Sequence, residues 1–252
     1  MKRLAAGLLS LVMAACAAAP LNRCPEPPEG TDFGDYSDEA VKRATRDAPA
    51  IAFVLGKGRR AELAGLLARG DDPNACLSGI SMLGFSASFG EQEEVRMLLD
   101  AGARTDRPLD SGGDTPLFAA LSSGHYGAAE LLLARGANPL HVGDFGATAL
   151  HRMSMAPVPT NDAGRAQQHR WADHLLALGL EVDVRLDRGA TPLMLATAMR
   201  NRELAGFLLA RGADPNAQDN RGSSPVSLAR KRGDADWIEL FERATSAGKV
   251  YP

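Results

Sequence analysis

Aromatic residues are scarce in this chain, because Phe, Trp and Tyr together make up only 5% of its 252 residues. A β-sandwich core is usually built from β-branched and aromatic side chains, so this composition argues against one. Alanine, leucine and glycine are abundant instead. Small side chains let helices approach one another closely, and the composition therefore favours a helical fold.

The chain also lacks a strong excess of either charge, since 28 Lys and Arg and 31 Asp and Glu give a formal net charge of −3. Nucleic-acid-binding domains usually carry a basic face, and proteins that bind anionic lipid carry a polybasic cluster. We therefore expect no nucleic-acid partner. The basic run at 230–232 lies at the end of a predicted helix, where cations favour the helix dipole.

No apolar stretch reaches the roughly 20 residues that a helix needs to span a bilayer. The longest, at positions 4–15, follows two basic residues and is typical of a secretory signal peptide. We therefore assign residues 1–16 to an export signal. An ordinary cleavage after Ala19 would release the mature chain into the periplasm.

The end of this segment, Leu11-Val12-Met13-Ala14-Ala15-Cys16, resembles the lipobox of bacterial lipoproteins, with Met13 at a position that is usually Leu. The resemblance implies that Cys16 is acylated and that the only contact with a membrane is through this lipid. Ala17 follows in place of the Asp that retains such lipoproteins in the inner membrane, so the resemblance favours the periplasmic side of the outer membrane.

Cysteine is nearly absent, with only three in the chain. If Cys16 is acylated, Cys24 and Cys76 remain, and in an oxidising compartment they form either a disulfide or two unpaired thiols. Residues 17–37 are rich in proline and cannot bury enough apolar surface to fold alone, so we expect a flexible spacer.

Self-similar segments fill most of the remaining chain. Residues 110–120 read DSGGDTPLFAA and lead to LLLARGANP at 131–139, and the pattern recurs at 189–216. Degenerate copies begin near the other loop glycines, and a weak copy occupies 49–70. The loop glycines are Gly79, Gly113, Gly146, Gly189 and Gly222, with successive spacings of 34, 33, 43 and 33 residues.

These segments resemble the ankyrin repeat, which has a period of 33 residues. The resemblance implies an all-α repeat solenoid of about five to six copies, each a helix-turn-helix with a hairpin loop. It places an ankyrin-repeat domain with capping helices at 38–247, followed by a tail at 248–252. The spacing of 43 predicts an insertion near 157–166, between the two helices of one repeat.

Local chemistry supports this assignment. Proline after Thr or Ser suits the first turn of a helix, and Thr115, Thr191 and Ser224 are placed to cap the helices that follow. Glycine after Ala-Arg, as at Gly136 and Gly212, is expected to end each second helix in the left-handed region.

Catalytic and metal-binding motifs are missing. The five histidines show no metal-ligand spacing, and there is no phosphate loop and no nucleophile elbow. We therefore predict no catalytic residue, no metal and no cofactor. His151, His169, His174 and Cys76 keep open the alternative of an enzyme or small-ligand-binding protein framed by the repeats.

Ankyrin domains bind partner proteins through hairpin tips and first helices that line a concave groove. That resemblance selects Phe145 as an aromatic anchor, unless it packs on its own hairpin, and Arg188 and Arg221 as partners for carboxylates, unless they are simply solvated. The full predicted set is Leu77, Ser78, Ser111, Asp114, Asp144, Phe145, Asp187, Arg188, Asn220 and Arg221 at the tips, with Ser122 and Ser123 in the groove.

The sequence therefore predicts a monomeric, membrane-tethered periplasmic module that binds another protein. It could act as an inhibitor or immunity protein, or as an adaptor in an envelope complex. A purely structural envelope spacer is a further alternative.

Overall fold

The structure is a computed structural model that describes residues 49–56, 58–77, 80–107 and 113–246. The predicted signal peptide at 1–16, with Cys16, lies outside these residues, as do Cys24, the spacer at 17–37 and the tail at 248–252. Those assignments stay predictions.

Eleven α-helices are found in the described residues, together with one short β-hairpin and two 3-10 turns at Ala50–Phe53 and Asp144–Gly146. The helices are α1 (Arg60–Ala68), α2 (Met82–Ser88), α3 (Gln92–Asp100), α4 (Pro116–Ser122), α5 (Tyr126–Ala134), α6 (Ala149–Ser154), α7 (Asp162–Ala177), α8 (Pro192–Ala198), α9 (Arg202–Ala210), α10 (Pro225–Arg232) and α11 (Ala235–Ser246). From α2 onward they form consecutive pairs, each a first helix followed by a second helix. In the hairpin, β1 (Cys76–Leu77) pairs antiparallel with β2 (Ile80–Ser81).

Residue contacts divide the chain into two units, and the boundary passes through α4 and α5. Unit 1 comprises the described residues up to Ala120 together with 127–138, and unit 2 comprises 121–126 and the described residues from 139 onward. No described helix has the length and apolar character that crossing a bilayer requires.

In unit 2, first helices pack on first helices and second helices on second helices: α6 and α10 both contact α8, while α7 and α11 both contact α9. Leucines and alanines fill these contacts, and Leu150, Leu193, Ala196 and Leu208 are completely buried. A single helix pair would leave such faces exposed to water, so the core exists only because neighbouring pairs stack.

A buried carboxylate anchors the start of unit 1. Both side-chain oxygens of Glu94 lie 3.0 Å from the main-chain nitrogen of Gly56, which donates to them, and Ser86 Oγ donates at 3.2 Å. Burial raises the pKa of Glu94, because removing the carboxylate from water disfavours its charged form. These bonds connect the segment before α1 to the pair α2 and α3.

The predicted helix ends are confirmed. Thr115 Oγ1 accepts from Phe118 N, Thr191 Oγ1 from Met194 N and Ser224 Oγ from Ser227 N. Gly136 and Gly212 follow their second helices with φ of 89° and 96°, a left-handed conformation that glycine adopts without a Cβ clash.

The ten extra residues of the third pair, α6 and α7, are divided between a loop and a helix. Helix α7 has 16 residues, whereas α3, α5 and α9 have 9 each. Within the predicted insertion, residues 157–161 belong to the loop before α7, and 162–166 form the first part of that helix. Helix α7 therefore begins nearly two turns earlier than the second helices of the other pairs.

The longer helix α7 still packs against α9 with the repeat spacing of 33 residues. Asn201 caps α9 by accepting from Leu204 N, and its Nδ2 donates to Gln168 Oε1 at 2.9 Å. Gln168 lies 33 residues earlier, inside α7, and both side chains are fully buried. A mid-helix glutamine thus replaces the capping residue that an ordinary repeat would have at this position.

Candidate functional site

Three hairpin tips of unit 2 lie next to one another and hold six of the predicted partner-binding residues. We call these residues, Asp144, Phe145, Asp187, Arg188, Asn220 and Arg221, the tip surface. Phe145, Arg188 and Arg221 occupy equivalent positions, each directly before a loop glycine, and all three are exposed.

Main-chain hydrogen bonds connect each tip to the next. Asp187 N donates to Phe145 O at 2.8 Å, and Asn220 N donates to Arg188 O at 3.0 Å. The side chain of Asn220 adds a bond from Nδ2 to Asp187 O at 3.1 Å. Asp187 and Asn220 therefore fix the spacing of the tips, a structural role that the sequence pattern did not reveal.

The tips approach so closely that a side chain at Gly189 would not fit. A Cβ built there would lie 2.8 Å from Asn220 Oδ1 and 3.1 Å from Asn220 N. Gly189 also has φ of +80°, which glycine alone adopts without strain.

Phe145 is the most exposed large apolar residue of the described chain, with 67% of its surface accessible. It therefore does not pack into its own hairpin as a buried side chain. Its backbone is left-handed, with φ of 60° and ψ of 22°, a conformation that costs a residue with a Cβ about 1 kcal/mol. The hydrogen bond from Asp187 holds the aromatic ring on this strained backbone.

Two more apolar residues flank Phe145 in the same loop. Leu140 is 42% and Val142 is 59% exposed. Both precede the tip in sequence, two residues apart. Sequence reasoning missed both, although the alternation Leu140-His141-Val142 before the tip could have signalled them.

Some charged side chains near the tips already form hydrogen bonds within or between the hairpins. Asp219 Oδ1 accepts from Arg221 N and Ser223 N at 2.9 and 2.8 Å, so this carboxylate shapes its own hairpin. Arg185 Nη1 donates to the carbonyl oxygens of Gly189 and Gln218 and links two hairpins. The exposed guanidinium groups of Arg188 and Arg221 are thus the cations available at the tips.

His151 has a structural role beneath the tip surface. Its Nδ1 lies 3.0 Å from Thr148 Oγ1 and accepts from Thr148 N, so Nε2 carries the proton and donates to Ala190 O at 3.3 Å. Burial of the ring lowers the pKa of His151 to about 4. The neutral imidazole therefore connects its own helix start to the following hairpin.

The other residues of the predicted enzymatic alternative are not gathered with His151. The His169 ring stacks on Phe207 with centroids 4.5 Å apart, and His174 meets the edge of Trp171. Across the described ranges, His, Cys, Asp and Glu side chains form no group that could hold a metal ion.

The rest of the predicted partner-binding residues are not part of the tip surface as defined above. Leu77 and Asp114 belong to unit 1 and are half-buried. Ser122 ends α4 and Ser123 follows it, so both lie at the end of that helix away from its hairpin. Ser78 and Ser111 lie outside the described residues.

Cys76 is disulfide-bonded, and its partner lies outside the described residues. The pairing of Cys24 with Cys76 therefore stays a prediction.

Comparison with known proteins identifies the repeats. Residues 52–142 match the family model for ankyrin repeats in three copies, and residues 188–220 match the model of the single ankyrin repeat. The pair that carries the insertion lies between the two matched regions. An ADP-ribosylation factor GTPase-activating protein of Arabidopsis thaliana is 37% identical over 82 residues, which are 32% of this chain. The chain spans only 10% of that protein's length.

The predicted fold is confirmed, since the matches and the helical pairs together establish an all-α solenoid of ankyrin repeats. Ankyrin repeats generally act as non-enzymatic modules that bind other proteins. Function in this chain is therefore to be sought at a protein-binding surface.

Proposed function

We propose that this ankyrin-repeat chain is a periplasmic protein-binding module, tethered to the outer membrane through an acylated Cys16. It binds its partner through the tip surface of unit 2. Within that role it acts either as an inhibitor or immunity protein or as an adaptor of an envelope complex. Tethering rests on the lipobox-like end of residues 1–16, and binding rests on the tips.

The observation that carries the proposal is the exposed, strained aromatic at Phe145. An exposed phenylalanine contributes little to folding, and its left-handed backbone opposes folding. In an interface the same side chain contributes about 1.5–3 kcal/mol when it is fully buried. Because the backbone is already fixed by Asp187, little further ordering is required when a partner covers the ring.

The surroundings of Phe145 match the composition of a binding hot spot. Leu140 and Val142 add exposed apolar surface in the same loop, and Arg188 occupies the equivalent position on the next tip. Aromatic residues and arginines dominate binding energy in protein interfaces. We therefore infer a partner that offers an apolar pocket for Phe145 and carboxylates for Arg188 and Arg221.

A pull-down from bacterial envelope extracts tests the proposal. The mature chain is compared with a triple variant, Phe145→Ala, Arg188→Ala and Arg221→Ala. A matched control carries Phe89→Ala and Arg243→Ala, which remove an exposed aromatic and an exposed arginine elsewhere. The proposal expects a specific protein captured by the wild type and the control and lost by the triple variant.

The stoichiometry of that complex separates the two roles. One partner bound tightly in a one-to-one complex supports an inhibitor or immunity protein, whereas several weakly bound partners support an adaptor. If the triple variant captures the same proteins as the wild type, binding through the tip surface is wrong.

A further inference from the structure

A second exposed surface of unit 2 lies where the two helices of each pair meet, at the opposite end of these helices from the tips. Here α6, α8 and α10 end and the chain turns back into α7, α9 and α11. We call the exposed residues Met155, Val158, Met199, Arg200, Arg230 and Lys231 the turn surface.

Exposed apolar side chains recur along this surface. Met155 and Met199 are the C-caps of α6 and α8, and these two helices pack side by side. They are 42% and 43% exposed, and Val158 in the insertion is 42% exposed. Methionine side chains are flexible and polarizable, and they adapt to differently shaped partners.

The insertion presents Val158 on a fixed loop. Asn161 Oδ1 accepts from Gly164 N at 2.7 Å, and Arg165 Nη1 donates to Pro159 O at 3.3 Å. A Cβ at Gly164 would come within 3.0 Å of Pro159 Cβ, so the loop packs tightly on the start of α7. A loop that is already ordered loses little entropy when a partner binds.

Arg200 is held in an unfavourable backbone conformation at the next turn. Its φ is +59°, whereas the equivalent position one repeat later is Gly233, with φ of +65°. An arginine costs about 1 kcal/mol more than glycine in this region. Backbone strain of this kind concentrates at functional positions, and here it places a guanidinium beside Met199.

Three exposed cations belong to the turn surface, although the whole chain is slightly acidic. Arg230 and Lys231 are exposed in the last turn of α10, and Arg200 pairs with Asp234 across 2.7 Å. A partner that offers carboxylates would complement this charge.

We propose that the turn surface is a second protein-docking site, and that it takes an acidic segment with one or two apolar side chains. Its apolar side chains contact Met155, Val158 and Met199, and its carboxylates pair with Arg230 and Lys231 and share the guanidinium of Arg200 with Asp234. An anionic bilayer fits less well, because it is a broad surface that would also face the carboxylates of Asp162, Asp234 and Asp236, whereas a short segment can contact the cations without lying against all three. The turn surface shares no residue with the tip surface, so either proposal can be wrong without affecting the other.

Fluorescence anisotropy with the full mature chain tests this site. The probe is a short labelled peptide of glutamates with two leucines, compared with the same peptide carrying lysines in place of glutamates. Vesicles of phosphatidylglycerol and phosphatidylcholine test the lipid alternative. We expect binding of the acidic peptide alone, weakened by added salt.

Variants assign the binding to the turn surface. Arg230→Glu with Lys231→Glu should weaken it by about tenfold, and Met155→Ser with Met199→Ser by about threefold or more. Arg200→Gly should also weaken it, and this variant keeps the fold because glycine suits the backbone there. Phe145→Ala is the matched control and should bind like the wild type.

Three outcomes would overturn the proposal: equal binding of the lysine peptide, binding to vesicles without binding to the acidic peptide, or unchanged affinity in the turn-surface variants. Circular dichroism melting curves for each variant separate lost binding from lost fold. Loss of tip-surface capture in the earlier pull-down would leave this test unaffected.

Discussion

The main-chain nitrogen of Asp187 donates to the carbonyl oxygen of Phe145 across 2.8 Å, and this bond joins two neighbouring hairpins. It holds an exposed phenylalanine at φ of 60°. The stacking of one repeat on the next therefore maintains a conformation that the isolated hairpin would have little reason to adopt. The geometry of the tip surface, through which we propose that a partner binds, therefore depends on the packing of the repeats.

Substitutions at Phe145 should measure the strain of its left-handed backbone. Phe145→Gly removes the left-handed strain but gives the unfolded chain more freedom, so the two effects should nearly cancel, within about 1 kcal/mol. Phe145→Val puts a β-branched residue at positive φ and should lower the free energy of unfolding by about 1 kcal/mol or more relative to the glycine variant. Urea unfolding of both variants measures this difference. Equal stability would contradict the strain at this position.

Gly189→Ala should be more damaging than Gly222→Ala. Both glycines have positive φ, +80° and +75°, so both substitutions carry the same backbone penalty. Only at Gly189 would the new Cβ collide with the neighbouring tip, at Asn220, whereas nothing lies within 4 Å at Gly222. We expect an additional loss of about 1–3 kcal/mol for Gly189→Ala. Urea titrations compare the pair, and equal losses would mean that the tips can separate without cost.

Helix boundaries in this fold could be predicted because they depend on local chemistry. Thr191 caps α8 and Gly212 ends α9 as expected, since a cap or a left-handed turn needs only the residues beside it. The repeat period located the extra residues in the third pair, but it did not predict that half of them would lengthen α7.

Features that depend on contacts between repeats could not be predicted. The sequence around Gln168 gives no sign that a mid-helix glutamine would meet Asn201 of the next repeat. The left-handed conformation of Phe145 requires a bond from a residue 42 positions later, Asp187. The repeat motif predicted that Phe145 lies at a hairpin tip. The geometry of the tip surface, however, arises from the stacking of neighbouring repeats.

Acid should destabilise the chain through His151. Its pKa is about 4 in the folded chain, below the usual 6.5, so between these values the unfolded chain binds more protons. The stabilisation is complete above pH 6.5 and is lost as the pH falls towards 4, by up to about 3 kcal/mol.

Urea midpoints between pH 7 and pH 4.5 measure this effect in the wild type, in His151→Gln and in His174→Gln, which changes an exposed histidine. We expect a shallower pH dependence only for His151→Gln. The same dependence in all three proteins would show that His151 is not the responsible group.

The carboxylate of Glu94 should be replaceable by an amide but not by a hydrocarbon. Glu94→Gln keeps an oxygen that accepts from Gly56 N and removes the penalty of a buried charge, so we expect a change of about 1 kcal/mol or less. Glu94→Leu leaves the Gly56 N–H and the Ser86 hydroxyl without this acceptor and should cost about 2–3 kcal/mol. Unfolding curves compare the two variants, and similar stabilities would contradict the anchoring role of Glu94.

Because the pKa of Glu94 is raised in the folded chain, its contribution has the opposite pH dependence to that of His151. Stability from this group is present below the unfolded pKa and decreases as the pH rises towards the folded value. Glu94→Gln should remove that decrease. A wild-type and a glutamine variant with parallel pH profiles would argue against a raised pKa.

Tethering should depend on Cys16 and not on the other cysteine near the N-terminus. A single acyl chain binds membranes only marginally, whereas the several chains of a bacterial lipoprotein hold it firmly. In a Gram-negative host, Cys16→Ser should therefore move the chain from the outer-membrane fraction to another fraction and abolish incorporation of labelled palmitate. Cys24→Ser is the matched control, because it removes the other cysteine near the N-terminus and should leave both the label and the membrane fraction unchanged. A Cys16→Ser protein that stays labelled would refute acylation at this residue, and an unlabelled wild type found free in the periplasm would instead favour cleavage after Ala19.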